Sequence, residues 1–365
     1  MTPNVEKQKR ILVIGAAPEG SLAVSELAKA TFSSDNWKNS FLNFYCYDIQ
    51  EKRFSDADHE TFLEKSPFRG MRHWPIRILR KFKTMLRLDT GLASSKFAQK
   101  RIGKLYGKSK IDAVIAVGGL FSLVEAAFHF AREQNIPFTI IYVDPFTESQ
   151  YAKGHRRLKV EKRWLSYATS VFYDADGIKP PLNEFDYKKK PFFIPISDPV
   201  ACLPDLEPII IYGGSFYPGL RDVNDLQPLI SRKDMKNYRF HVYSNLGIQK
   251  SKGTTSFFSS VEKNQFNDLV AKSMALIVIG NKTSQKSQPS KFLYGISQRK
   301  ILIGINLGQK KADFSRYPFY FDSLDPNLPQ EIQKVTKDEL LSFDVYGAFP
   351  ERNPAVFAQQ IQNSL

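Results

Sequence analysis

Short apolar strands alternate with helices along this chain, and the alternation starts twice. The first unit is RILVIGAAPEGSLAVSELAKA. Residues 11–14 form an apolar run, Gly15-Ala16-Ala17-Pro18 forms a turn, and Leu22, Leu27 and Ala30 recur at helical spacing. A second strand is expected over 43–47. The next unit, KIDAVIAVGGLFSLVEAAFHFAREQNIPFTIIYVDPF, places strands at 113–117 and 138–143 around a helix at 122–134, with Gly118-Gly119 as the turn. A charged helix over 155–167 and a strand over 170–173 follow. Continuous apolar strands separated by helices require a doubly wound parallel sheet with helices on both faces.

The series begins afresh after FFIPISDPVACLPDLEP, whose prolines mark a linker. Strands are expected at 209–212, 239–243, 275–279 and 301–305, with helices at 225–232 and 290–297. A terminal helix over 354–363 is placed so that it can pack back on the first half. A chain of 365 residues is long enough for two cores. The fold class expected is therefore α/β with two Rossmann-like domains, 1–197 and 198–365, facing a central cleft. Open sheets of this kind bind ligands at the carboxyl ends of their strands.

Composition excludes several classes. The only cysteines, Cys46 and Cys202, make neither a disulfide framework nor a metal cluster, and they suit a reducing compartment. The five histidines, His59, His73, His129, His155 and His241, have no metal-ligand spacing. No apolar run reaches the roughly 18 residues of a membrane span, and the polar opening MTPNVEKQKRILVIG does not read as a secretory leader. The net charge is +15, but 13 basic residues and one acid, Asp89, lie between Arg69 and Lys110. The chain is a near-neutral globule with one basic segment, 69–110, suited to an anionic partner.

The second half carries a resemblance to a known family. IIIYGGSFYPGLRD resembles the opening of the donor-binding domain of GT-B glycosyltransferases, and QPSKFLYGISQRKILIGI resembles their segment in which Pro-Ser-Lys opens a helix before a buried strand. In the first half, GHRRLKVEKRWLSYATSVFYDADGI is more loosely similar to the family's basic helix, with Glu161 inside it. The resemblance implies transfer of a sugar from a UDP- or GDP-linked donor, with no bound metal or other cofactor. It implies donor-binding roles for Gly213, Gly214, Arg221, Ser290, Lys291 and Tyr294. Their chemistry fits a diphosphate: glycines admit close backbone approach, Arg221 and Lys291 supply charge, and Ser290 starts a helix whose amino end attracts anions. The alternative reading makes the glycines only a tight turn and Ser290 only a helix cap. Family members commonly carry a carboxylate where this chain has Tyr294, and many retaining members carry another where it has Lys286. That departure keeps a second reading open, a non-catalytic GT-B-like partner of another transferase.

On the acceptor side, Gly118 and Gly119 would let a substrate approach the backbone. Asp144, after the strand IIYVD, and Glu19 are candidate general bases, and Asp144 reads equally as a strand-end cap. Asp174-Ala175-Asp176 reads as a polar turn. MRHWPIRILRKFKTMLRL places Ile78, Leu79, Phe82, Met85 and Leu86 at helical spacing, with Trp74 at one end and Arg77, Arg80, Lys81 and Arg87 around them. Trp74, Arg77, Arg80, Lys81, Phe82 and Arg87 are expected to bind an anionic membrane surface; an ordinary packed helix with a basic face is the alternative. No base-reading module points to nucleic acid. The location expected is the cytoplasmic face of a membrane, and the acceptor a glycan or lipid-linked precursor. The residues say nothing of oligomeric state.

Overall fold

The computed structural model describes residues 8–15, 23–37, 40–48, 55–56, 59–65, 92, 95–118, 121–143, 155–176, 179–180, 182–216, 221–246, 250–280, 290–307 and 314–365. The chain divides into two compact units, 1–195 together with 354–365, and 196–353.

The first unit is built on an eight-stranded sheet. Its strands are β1 (Lys9–Ile14), β2 (Ser40–Asp48), β3 (Ser55–Asp56), β4 (His59–Lys65), β5 (Ala113–Val117), β6 (Phe138–Tyr142), β7 (Ser170–Asp174) and β8 (Lys189–Phe192). Their spatial order is β3-β4-β2-β1-β5-β6-β7-β8, and all pairs are parallel except the β3–β4 edge ribbon. The order reverses at β1 and β5, where Ile14 pairs with Tyr45 on one side and Ala116 on the other. Helices α1 (Ala23–Thr31), α2 (Ser95–Tyr106), α3 (Phe121–Gln134), α4 (His155–Tyr167) and α11 (Pro354–Gln362) belong to this unit.

The central strands are buried on both faces because successive side chains point to opposite sides. Leu12, Ile14, Val114 and Ala116 join Ala98, Ile102, Phe128, Trp164 and Leu165 in one core. Ile11, Val13, Ile115 and Val117 join Leu27, Trp37 and Phe44 in the other, together with Phe357 and Ile361 of α11. Phe357 stacks on Phe192 of β8 with ring centroids 4.2 Å apart and meets Phe172 edge-on at 5.6 Å. The chain terminus thus completes the core of the unit that the chain's beginning builds.

Two buried charged side chains in this unit are held by several partners each. Glu125 on α3 accepts hydrogen bonds from Trp164 Nε1 and Arg163 Nη2 on α4, and lies 3.1 Å from His129 Nε2. Lys189 is buried in β8, and its ammonium donates to Pro180 O at 2.6 Å, Leu182 O at 3.1 Å and Asp186 Oδ1 at 3.1 Å.

The second unit repeats the plan with β9 (Glu207–Gly213), β10 (Arg239–Ser244), β11 (Lys250–Lys252), β12 (Thr255–Ser259), β13 (Ser273–Ile279), β14 (Ile301–Ile305) and β15 (Tyr320–Asp322). The order is β11-β12-β10-β9-β13-β14-β15, parallel except for β11. Here the reversal lies between β9 and β13. The helices are α5 (Gln227–Ile230), α6 (Lys263–Lys272), α7 (Ser290–Ser297), α8 (Leu328–Lys334), α9 (Lys337–Ser342) and α10 (Val345–Ala348). The helix expected over 225–232 is instead a 3₁₀ turn, Val223–Leu226, followed by one α turn. Pro228 starts that turn, and Arg232 is already extended, its guanidinium donating to Ser323 O and Asp325 O.

α7 ends in a Schellman arrangement: Arg299, at φ 51°, donates its N–H to Ile296 O, and Lys300 donates to Gly295 O. A left-handed arginine is strained, and its guanidinium offsets this by donating to Val200 O, Leu340 O and Phe343 O at 2.8–2.9 Å. Lys300 is buried and donates to Ala271 O and Ser273 O, where α6 runs into β13. Among the described residues no helix is long and apolar enough to cross a membrane.

Removing the Phe357 ring leaves a void between β8 and α11. Phe357→Ala is expected to cost ~3–5 kcal/mol in urea unfolding. Val356→Ala, at a residue 42% exposed, should change stability by less than ~0.5 kcal/mol.

Candidate functional site

Where strand order reverses, two neighbouring strands send their following loops apart, and a crevice opens at their carboxyl ends. In the second unit these are the ends of β9 and β13. Gly213 closes β9, and Gly214 donates its N–H to Tyr243 O of β10 at 3.0 Å. Gly280 follows β13 and donates to Ile305 O of β14 at 2.9 Å. The expectation that Gly213 and Gly214 allow close approach has a specific form here. A Cβ on Gly213 would lie 2.1 Å from the Phe266 ring, and one on Gly214 would lie 2.6 Å from Lys291 Nζ. The two glycines admit side chains from α6 and α7.

Lys291 is the second residue of α7, whose opposite face buries Phe292, Leu293 and Ile296. That packing turns the lysine back over Gly214, with Nζ 5.9 Å from the centroid of the Tyr212 ring. Burial, and then the charge of Arg221, lower the ammonium's pKa to about 8. Arg221 itself is half-buried, and Ser290 stands exposed at the first position of α7. Two cations are therefore held near each other at a sheet's carboxyl edge, at the amino end of a helix. Burial and the neighbouring like charge both disfavour the charged form of Lys291.

Tyr294 lies three residues after Lys291, on the same face of α7. Its hydroxyl donates to Asn267 Oδ1 on α6 at 2.7 Å, and its ring stacks at 6.4 Å on Phe266. Tyr243, stacked on Phe258 at 4.7 Å, meets Phe266 edge-on. Phe216 is fastened after the glycine turn: its N–H donates to Asn245 Oδ1, Asn245 Nδ2 donates back to Phe216 O, and its ring stacks on Tyr212 at 5.0 Å. The sequence had not singled out Phe266, Asn267, Tyr243 or Asn245. Their one signal is position, since Asn245 directly follows β10, and Phe266 and Asn267 lie on the helix before β13.

Gly213, Gly214, Arg221, Ser290, Lys291 and Tyr294 all belong to the second unit. In the first unit, Gly15 closes β1 at φ 133°, where a Cβ would fall 2.3 Å from Val117 O, so only glycine fits. Gly118 follows β5 and donates to Ile141 O at 2.7 Å. Close by, Tyr142 ends β6 fully buried, and burial, reinforced by Glu161, pushes its phenol pKa well up. Glu161 and Arg157, four residues apart on α4, are both buried. Asp174 Oδ1 accepts from Asp176 N–H at 3.1 Å, which makes the acidic pair a turn at the end of β7. Glu19, Gly119, Asp144 and the residues 74–87 that contain Trp74, Arg77, Arg80, Lys81, Phe82 and Arg87 lie outside the described residues. Among the described residues no group of three or more His, Cys, Asp or Glu side chains is arranged to hold a metal.

Solved structures share this architecture over nearly the whole chain. HepE from Anabaena, solved with UDP and glucose, aligns with a TM-score of 0.57 at 9% identity, covering 98% of this chain and 99% of that one. An alpha-glucosyltransferase, solved with UDP and a DNA 13-mer, aligns at 0.56 and 13% identity, covering 97% and 98%. A UDP-forming trehalose-phosphate synthase from Burkholderia xenovorans aligns at 0.52 and 10% identity, covering 97% and 99%. At such identities the likeness is one of fold, and the fold is that of GT-B glycosyltransferases. No family model matches the chain, and no curated protein matches it by sequence.

The lysine pKa sets a pH dependence. An unfolded lysine titrates near 10.4, whereas folded Lys291 titrates at about 8. Between those values the unfolded chain holds more protons, so this residue's contribution to stability rises with pH and is lowest below pH 8. Without ligand, Lys291→Met is expected to raise stability by ~1–2 kcal/mol at pH 7. The gain should shrink as denaturation midpoints are measured toward pH 10.

Proposed function

We propose that this chain is a glycosyltransferase that takes a sugar from a nucleoside diphosphate and transfers it to an acceptor held by the first unit. One observation carries the reading: the half-buried Lys291 ammonium lies beside Arg221 at the carboxyl edge of β9 and β13. Two cations side by side suit a diphosphate, and they would also stabilise the negative charge that develops on it as the glycosidic bond breaks. In this reading Gly213 and Gly214 shape the floor, Ser290 opens the helix toward the phosphates, and Tyr294 with Asn267 offers hydroxyl-binding groups beside them. The donor is UDP- or GDP-linked, and no metal or other cofactor is required.

For the acceptor step, Asp144 and Glu19 are the proposed bases, and Gly118 and Gly119 border the acceptor. A glycan or lipid-linked acceptor at the inner face of a membrane fits the basic segment 69–110, with Trp74, Arg77, Arg80, Lys81, Phe82 and Arg87 as its lipid contacts. A second reading, a sugar-nucleotide-binding partner of another transferase, is favoured by one feature. The position after Lys291 where the family commonly has a carboxylate holds the neutral Tyr294–Asn267 pair.

UDP and GDP are expected to raise the thermal midpoint in a saturable way. Lys291→Ala and Arg221→Ala should each weaken binding ~10-fold or more. Because the charged lysine is the binding form, affinity should be full below pH 8 and fall above it, and binding near pH 8 should take up a proton in calorimetry across buffers. If no nucleotide or nucleotide sugar shifts the midpoint, the donor-site reading fails. Binding of a UDP-sugar without hydrolysis or transfer to a lipid extract would favour the non-catalytic reading. Replacement of Tyr294 by Phe should weaken UDP several-fold and leave inorganic pyrophosphate unchanged.

A further inference from the structure

The inner face of α2 is defined by Ala98, Ile102 and Tyr106, all buried, spaced four residues apart and packed with α3. Lys96, Lys100 and Lys104 repeat the same spacing two residues out of phase, about 200° round the helix, and all three are exposed. They form a ridge that rises about 12 Å along the axis, at 1.5 Å per residue, and turns about 80° round the helix. Like charges at four-residue spacing repel one another, and residues 95–110 hold six basic residues and no acid to offset them. On the neighbouring helix, Glu133 of α3 accepts a 2.6 Å hydrogen bond from Gln99 Nε2 at the ridge's flank. Beside the first lysine, Phe97 is 44% exposed.

We propose that this ridge docks the first unit on an anionic lipid surface. The wanted partner is negative, because the ridge concentrates charge that the helix leaves uncompensated. It is extended, because the three lysines are spread along one side of a helix packed from behind. It is apolar just beneath its charged layer, because Phe97 is aimed outward among lysines whose stems can lie along lipid while their heads stay in water. A duplex would be matched better by arginine forks than by three point charges and a phenyl ring. The ridge is distinct from residues 74–87. It lies within the basic segment 69–110 and rests on the membrane-surface part of the functional reading, which it narrows to named residues; lipid binding and nucleotide binding are measured separately, so the two can fail independently.

The test is cosedimentation of the full chain with phosphatidylcholine vesicles, with or without about a third phosphatidylserine. The wild type should pellet with the anionic vesicles and stay in solution with the neutral ones. At about fivefold per lysine, Lys96→Gln, Lys100→Gln and Lys104→Gln together should lower partitioning by about 100-fold, and Phe97→Ser should lower it several-fold with charge unchanged. Unaltered thermal midpoints would show that both variants are folded. Equal pelleting with both vesicle types, or a triple variant that binds as the wild type does, would overturn the proposal. Retention on a DNA or RNA duplex without vesicle binding would overturn it too, and would assign the ridge to nucleic acid.

Discussion

Burial of the central strands on both faces is the constraint from which the rest of the structure follows. A strand such as Ala113–Val117 is buried along its whole length, so it needs helices on each side of the sheet and parallel neighbours at each edge. Parallel neighbours require crossovers, and the crossovers supply those helices. Reversal of strand order then leaves one place per sheet where loops diverge. In the second unit that place holds Gly213, Gly214 and Gly280.

The same constraint explains the polar groups inside. A lysine or glutamate in such an interior must find partners there. Lys189 finds two carbonyls and a carboxylate, Lys300 two carbonyls, and Glu125 the Trp164 and Arg163 donors. The ties of Lys300 and Glu125 join elements distant in sequence, and those of Lys189 hold the segment just before its strand. Burial lowers the pKa of Lys300 to about 7, and burial with the charge of Arg221 lowers that of Lys291 to about 8, so what sets Lys291 apart is the second cation beside it.

Most of the two sheets was legible in the sequence because their strands are continuous apolar runs: 11–14, 113–117, 209–212, 275–279 and 301–305 all lie in central strands. The edges were not. β8 reads KKPF; it pairs with β7, and Lys189 buries its ammonium against the Pro180 and Leu182 carbonyls. β11 and β12 are short and polar, KSK and TSFFS, so no apolar pattern announces them. The 225–232 segment has helix-like spacing, but a capping box at Asp222 and Pro228 divide it into short turns.

The site divides along the same line. Residue type and order determined that this chain makes two α/β units, that glycine turns follow their first strands, and that a lysine opens the helix before β14. Those properties are local, fixed by periodicity and by which residues tolerate a turn. Only the tertiary structure decided what the glycines make room for, because Phe266 and Lys291 reach them from helices far along the chain. It also decided that Tyr294 bonds Asn267 and that the final helix completes the first unit's core. Such contacts depend on the separation of side chains in space, and one-dimensional spacing does not carry that information.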